Sequence, residues 1–342
     1  MNGYQRVLAA LHGEWPDTTP IMLHNFMLAA REAGVTMRQF RTDPNAIARS
    51  FIDAVQRYKY DGVVIDIDTV TLAAAAGVPI DFPEDAPARV TGGRMQSLEE
   101  VRDLPSIDIL SYQGIQVWLE AVRLLKRNFG DEVYIRGNCD QCPFSLASLV
   151  RTLDGWMTDL LDPEKESLVH ALLEFCTGIT GQFILQMSSA GAHMISNGDS
   201  IAGPQLVSPS MFRRFALPYE RRVVEISHGL GLPYILHICG NTASILDDMI
   251  ATGADGLEID YRTDARLAHQ KMKESTVFIG NLDPSGVLAR GSQELVEQET
   301  LNLLSVFADT PRFILNAGCA IPPTTPSENI HAMIRAARSF AR

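Results

Sequence analysis

Eight short apolar runs, spread over the whole chain and separated by longer stretches of helical pattern, constrain this sequence more than any other feature. They are 21-IMLHNF-26, 62-GVVIDID-68, 133-VYIRGNC-139, 193-HMISNGDS-200, 234-YILHICGN-241, 256-GLEID-260, 277-VFIGNLD-283 and 313-FILNAGC-319. Nearly every run begins apolar and ends on polar or metal-ligating side chains: His24 and Asn25, Asp66 and Asp68, Asn138 and Cys139, Asn197 and Asp199, His237 and Cys239, Glu258 and Asp260, Asn281 and Asp283, Asn316 and Cys319. Strand and helix patterns in strict alternation predict a parallel sheet covered by helices. Eight such units without a break in composition predict an α/β fold of one domain over residues 1–342, a (β/α)8 TIM barrel, with a doubly wound open sheet as the alternative. In a barrel the C-terminal strand ends converge on one face, so the polar ends are expected to share a pocket.

The connecting stretches carry helix signals of their own. Residues 211-MFRRFALPYERRVVEISHG-229 are expected to form one helix closing on a glycine, and 242-TASILDDMIATG-253 a helix opening on Thr242 and closing on Gly253. The segments 81–132 and 141–192 are too long for a single crossover helix and are expected to supply extra helices over the mouth of the barrel.

Composition narrows the function. A net charge of −12 with no Lys/Arg-rich run argues against nucleic acid as a partner and favours small-molecule chemistry. No signal peptide is expected in MNGYQRVLAALHGEWPD, and the longest apolar stretch, 171-ALLEFCTGITGQFILQM-187, is interrupted by polar residues and glycines. A cytoplasmic protein without a membrane partner is the expectation. Five scattered cysteines do not make a disulfide framework; in a reducing compartment they are core thiols, metal ligands or redox groups.

Side chains two apart on a strand share a face, so His237 and Cys239 can address one ion. Cys319, at the end of the eighth run, can approach the same point from another strand, and a His/Cys/Cys set suits Zn²⁺ with one open position. The alternative for each is a packed strand-end histidine beside inert thiols. The pair in 139-CDQC-142 reads as incidental thiols, as part of the pocket lining or as a redox pair; Pro143 suits a helix start, which would lower the Cys142 pKa. Asp68, Asp199 and Glu258 are the candidate catalytic carboxylates, and Asn25, Asn197 and Asn281 the candidate cofactor-binding amides. Glu258 and Asp260 could also give a fourth ligand in the absence of substrate. His24 could orient a substrate or simply be satisfied at a strand end, and His193 begins its run on the opposite, stabilising face.

Several segments resemble the uroporphyrinogen decarboxylase superfamily, and within it the zinc-dependent corrinoid methyltransferases: 281-NLDPSGVLARG-291, 142-CPFSLASLVRT-152, 208-SPSMFRRFALPY-219 and, most specifically, 237-HICGN-241 with 316-NAGCAIPPTTPSENI-330. The resemblance covers most of the chain. It implies a barrel, His237, Cys239 and Cys319 as zinc ligands, a corrinoid (methylcobalamin) carried by a partner protein, and a small methyl donor or acceptor such as a thiol or methoxylated compound. Asp68 falls where the decarboxylases keep an essential aspartate, but their arginine-rich N-terminal motif is replaced by 20-PIMLHNFMLAAREAG-34, with Arg31 displaced, and Cys319 stands where they carry histidine. A metal-free decarboxylase-like lyase and a non-catalytic corrinoid- or tetrapyrrole-binding barrel are the alternatives. The chain departs from the methyltransferases in 196-SNGDSIAGPQLVSP-209, where an acidic turn is usual, and at Cys142, where a glycine is usual.

Overall fold

The computed structural model describes residues 1–340. Its main sheet holds eight parallel strands in sequence order: β1 (Met22–Leu23), β2 (Gly62–Ile65), β3 (Tyr134–Gln141), β4 (Met194–Gly198), β5 (Tyr234–Ile238), β6 (Gly256–Ile259), β7 (Val277–Leu282) and β8 (Phe313–Ala317). A parallel bridge between Ile21 and Leu315 joins first to last, so the sheet closes on itself and the barrel expectation holds over the open-sheet alternative. Seven strands lie within their apolar runs, and β3 extends two residues past its own, to Gln141. The polar ends mostly fall just past the last paired residue, in the loops of the mouth.

Strand alternation divides the apolar residues into two layers. Outward residues such as Val63, Ile65, Ile135, Leu236, Leu257 and Phe278 pack under the helices, while Met22, Val64, Tyr134, Met194, Ile235, Ile279 and Ile314 point inward. The inward set is capped from below by Val7, Ala10 and Leu11 of the helix Gly3–His12, whose Tyr4 amide bonds to Glu132 just before β3. The floor of the barrel is therefore sealed by apolar packing worth roughly 1.5–3 kcal/mol per large side chain. Asp61 clasps both chain ends there: its carboxylate accepts from Arg6 Nη1 (3.0 Å), Arg338 Nη2 (2.7 Å) and the Ile21 amide (2.8 Å).

The connections depart from expectation in three places. The helix expected over 211–229 starts earlier, at Pro209, and widens into a π-helical turn over Phe212–Ala216 before continuing as Leu217–Gly229. Pro218 has no N–H to donate to the preceding turn, which accounts for the widening. The helix expected over 242–253 is only Leu246–Ile250, because Thr242 does not cap it: its amide and hydroxyl both engage the Thr263 hydroxyl (2.9 and 3.1 Å) in the next loop.

The mouth is covered only in part by the two long segments, and by a ribbon of 81–132 rather than by extra helices. Phe26 and Met27 of the helix Phe26–Glu32, Met37 and Arg41 of the helix Met37–Thr42, and Pro87 and Ala88 from the tip of an antiparallel ribbon (Ile80–Asp81 with Arg89–Val90) form the roof. Of 141–192 only Gln141 reaches the cavity. The stretch Pro163–Ala190 in that segment is long and apolar enough to cross a membrane on length and composition alone, as the core helix of a folded domain also can be. Here it packs along β3 and β4, with Val169, Leu173, Phe183 and Met187 buried.

Candidate active site and metal centre

A cavity of about 250 Å³ opens at the C-terminal ends of the strands. β5 ends with His237 inward, and after its last paired residue the chain carries Cys239 to the same side, as the two-residue spacing requires. The loop after β8 brings Cys319 alongside. The three ligating atoms lie within 4.8 Å of one another, with His237 Nε2 3.1 Å from Cys239 Sγ and the two sulfurs 3.9 Å apart. A tetrahedral zinc with Zn–S of about 2.3 Å and Zn–N of about 2.0 Å separates its sulfurs by about 3.8 Å and nitrogen from sulfur by about 3.5 Å. The sulfur–sulfur spacing matches such an ion, and the His237–Cys239 pair would open by a few tenths of an ångström to hold it.

The orientation of His237 is fixed from behind. A carbonyl oxygen only accepts, so the 2.9 Å contact between Nδ1 and the Glu258 carbonyl makes Nδ1 the donor and leaves Nε2 for the cavity. Without a cation the three groups share protons. The hydrogen bond from Cys319 and the neighbouring His237 hold the Cys239 thiol down to about 3, against burial, and the Cys319 thiol is pushed up by that same contact. Burial would lower the His237 pKa, yet the Cys239 thiolate raises it to about 10.

Beneath this trio runs an ion chain. Asp66 Oδ2 meets His24 Nε2 at 2.8 Å, His24 Nδ1 meets Glu258 Oε1 at 3.3 Å, and Glu258 Oε2 meets Arg136 Nη1 at 2.5 Å. Burial works against the His24 imidazolium, but carboxylates on both nitrogens raise its pKa to about 9. Burial likewise works against the Glu258 carboxylate, which Arg136 and His24 hold far below the usual range. Because both its oxygens are engaged there, Glu258 is not free as the fourth ligand; it holds His237 through its carbonyl and faces the cavity through its side chain. Asp260 is taken by the Gly240 and Arg262 amides and is absent from the cavity wall.

The remaining sequence candidates divide. Asp68 lines the cavity: Oδ1 accepts from the Val70 and Thr71 amides, Oδ2 lies 3.6 Å from Arg41 Nε, and burial raises its pKa. Asn197 also lines it, with its amide committed to the Cys139 carbonyl (2.6 Å) and the Tyr234 hydroxyl (2.9 Å). Asp199 does not, and its expected catalytic place is corrected. The chain turns after Gly198, so Asp199 faces away, accepting from the Ser145 amide (2.7 Å) and pairing with buried Glu220; burial lifts it to about 6. Asn25 is fully buried behind the wall, next to Tyr60. Asn281 donates to the Asp260 and Thr263 carbonyls (3.2 and 3.0 Å) and borders a separate surface depression.

Cys139 and Cys142 belong to the apolar core, so neither lines the pocket. Cys142 does precede the helix Pro143–Arg151, but burial and the Asp199 and Glu220 carboxyls push its thiol well up, opposite to the expected fall. Arg136, Arg41 and Asp140 were not singled out from the sequence. Arg136 had a signal: an arginine two residues before Asn138 within an apolar strand must be buried with a partner. Asp140 sits at a bulge in the β3–β4 register with a left-handed backbone (φ 59°), which no strand pattern announces.

The uroporphyrinogen decarboxylase (URO-D) family matches residues 2–340. The methylcobamide:CoM methyltransferase MtbA of Methanosarcina acetivorans is 34% identical over 72% of this chain and 70% of its own length. The methylcobamide:CoM methyltransferase MtaA of Methanosarcina barkeri is 27% identical over 97% of this chain and 96% of its own. A solved methyltransferase from Methanosarcina mazei superposes with a TM-score of 0.90 at 25% identity, covering 99% of both chains. Matched over nearly its whole length, the chain belongs to the uroporphyrinogen decarboxylase family and is one of that family's methyltransferases.

Proposed function

We propose that this protein moves a methyl group between a corrinoid carried by a partner protein and a small thiol, at a zinc ion held by His237, Cys239 and Cys319. The observation that carries this reading is the convergence of one imidazole nitrogen and two sulfurs within 4.8 Å at the mouth of the barrel, with the imidazole oriented by the Glu258 carbonyl. Zinc bound there would supply a positive centre that stabilises an incoming thiol as thiolate, the form that attacks a methyl group.

The chain's own residues do the rest. Arg136 and His24 fix Glu258, Glu258 fixes the ring of His237, and Phe26, Met27, Met37, Ala88 and Ala320 keep water from the reacting sulfur. Asp68 and Glu258 face the cavity, and Asn197 braces the wall.

Metal-free decarboxylation of a tetrapyrrole is disfavoured by size and charge. The cavity is smaller than the roughly 300–1,000 Å³ of a drug-sized pocket. Arg136 already pairs with Glu258, which leaves Arg41, itself 3.6 Å from Asp68, as the one arginine on the wall for the several carboxylates of a tetrapyrrole. Metal analysis of the purified protein tests the reading: about one zinc per chain is expected, falling in Cys319→Ala, together with thiol-dependent demethylation of methylcobalamin followed by its absorbance. Zinc well below one per chain and indifferent to Cys319→Ala, or tetrapyrrole decarboxylation by chelator-treated protein, would overturn it.

A further inference from the structure

Apart from the Arg136–Glu258 pair, three charged atoms on the cavity wall are buried without a hydrogen-bond partner: Arg41 Nε, Asp68 Oδ2 and Asp140 Oδ1. Their residues are 7%, 6% and 2% exposed. In each case the rest of the group is tied down. Arg41 gives Nη1 to the Pro83 carbonyl (2.9 Å) and Nη2 to the Ala86 carbonyl (2.6 Å). Asp68 Oδ1 takes the Val70 and Thr71 amides, and Asp140 Oδ2 takes the Leu72 amide (2.8 Å). Each side chain is thus held through its other atoms, with one nitrogen or oxygen unpartnered. The aspartates hang on the adjacent amides of residues 71 and 72, which makes them neighbours, and Arg41 Nε stands 3.6 Å from Asp68 Oδ2.

A ligand complementary to this set needs one anionic acceptor for the guanidinium and one cation with several N–H donors for the two carboxylates. A sulfonate or carboxylate alone leaves both aspartates unmatched; an amine alone leaves the guanidinium unmatched. An α-amino acid head group has both charges on one carbon. At the other end of the cavity stand Cys239, Cys319 and His237, a place for sulfur.

We propose that Arg41, Asp68 and Asp140 form a head-group subsite for a thiol-bearing α-amino acid, the guanidinium taking its carboxylate and the two aspartates its ammonium, with its sulfur at the His237–Cys239–Cys319 end. The inference rests on the thiol reading above and names the class of thiol.

Calorimetric titration with four probes tests it: L-homocysteine, 4-sulfanylbutanoate (no ammonium), 3-aminopropane-1-thiol (no carboxylate) and L-2-aminobutyrate (no thiol). L-Homocysteine is expected to bind about tenfold or more tighter than either truncated thiol, the effect of losing a charged hydrogen-bonded group. Asp140→Asn keeps a residue type that tolerates a left-handed backbone. It and Asp68→Asn, checked for folding by thermal melts, are expected to weaken L-homocysteine about tenfold and 4-sulfanylbutanoate about twofold or less. Equal affinity for L-homocysteine and 4-sulfanylbutanoate, or equal weakening of both in the variants, overturns the subsite. L-2-Aminobutyrate separates the two readings. Asp140-dependent binding of it by a protein that holds no zinc sinks the thiol reading and keeps the subsite, whereas zinc-dependent thiol binding blind to the head group does the reverse.

Discussion

Individual side chains show where sequence reasoning reaches and where it stops. His237 and Cys239 were legible because their spacing is a strand period, and Cys319 because it ends another run. Asp199 was misjudged by extending the same rule too far: past Gly198 the chain leaves the strand, and alternation no longer says which way a side chain points. Arg41 comes from a helix in a loop, and nothing local ties it to Asp68. His193 was set aside as structural, and its surroundings bear that out. Its Nδ1 accepts the Ile135 amide (2.9 Å), which requires that nitrogen to be unprotonated, and burial, with the Lys126 charge, depresses its pKa from 6.5 to about 4. The unfolded chain therefore binds this proton at a higher pH than the folded one. Stability from His193 is complete above about pH 6.5 and is lost as pH falls towards 4. Urea midpoints at pH 7 and pH 5 should differ less in His193→Gln than in the parent; an unchanged difference would refute the assignment.

At the level of elements, the strands were readable and their connections were not. The eight runs gave period, order and closure, because an apolar strand covered on both faces has few alternatives. The lengths of 81–132 and 141–192 showed that something extra was present without showing where it packs, which depends on contacts distant in sequence. The loop that delivers Cys319 illustrates such a contact. A side-chain carbon on Gly318 would lie 2.4 Å from the Tyr261 amide nitrogen and 3.1 Å from the Asp260 carbonyl carbon, backbone atoms that cannot swing aside. Glycine is required by this close approach, not by its own dihedral angles. Gly318→Ala should cost about 1–3 kcal/mol in stability. By displacing Cys319 it should also weaken zinc binding by about tenfold or more. Competition with a chromogenic chelator measures this; parental affinity would show that the loop does not set the ligand geometry.

For the molecule as a whole, the barrel expectation held, with a sheet that closes on itself. The chain ends were not legible as a pair, because the Asp61 clasp joins residues 6 and 338 through space. The helix Gly3–His12 was even less so: a short amphipathic segment does not announce that it will stopper a barrel. That stopper has kinetic meaning. With the bottom shut, the thiol and the methyl carrier proposed above would have one doorway between them, and whichever stood in it would block the other. The carrier must arrive last and leave first. Steady-state rates should then follow a compulsory-order pattern, with excess carrier inhibiting and more thiol relieving the inhibition. Parallel double-reciprocal lines would rule it out. A packing detail at the foot of the barrel thereby becomes a queueing rule at its top.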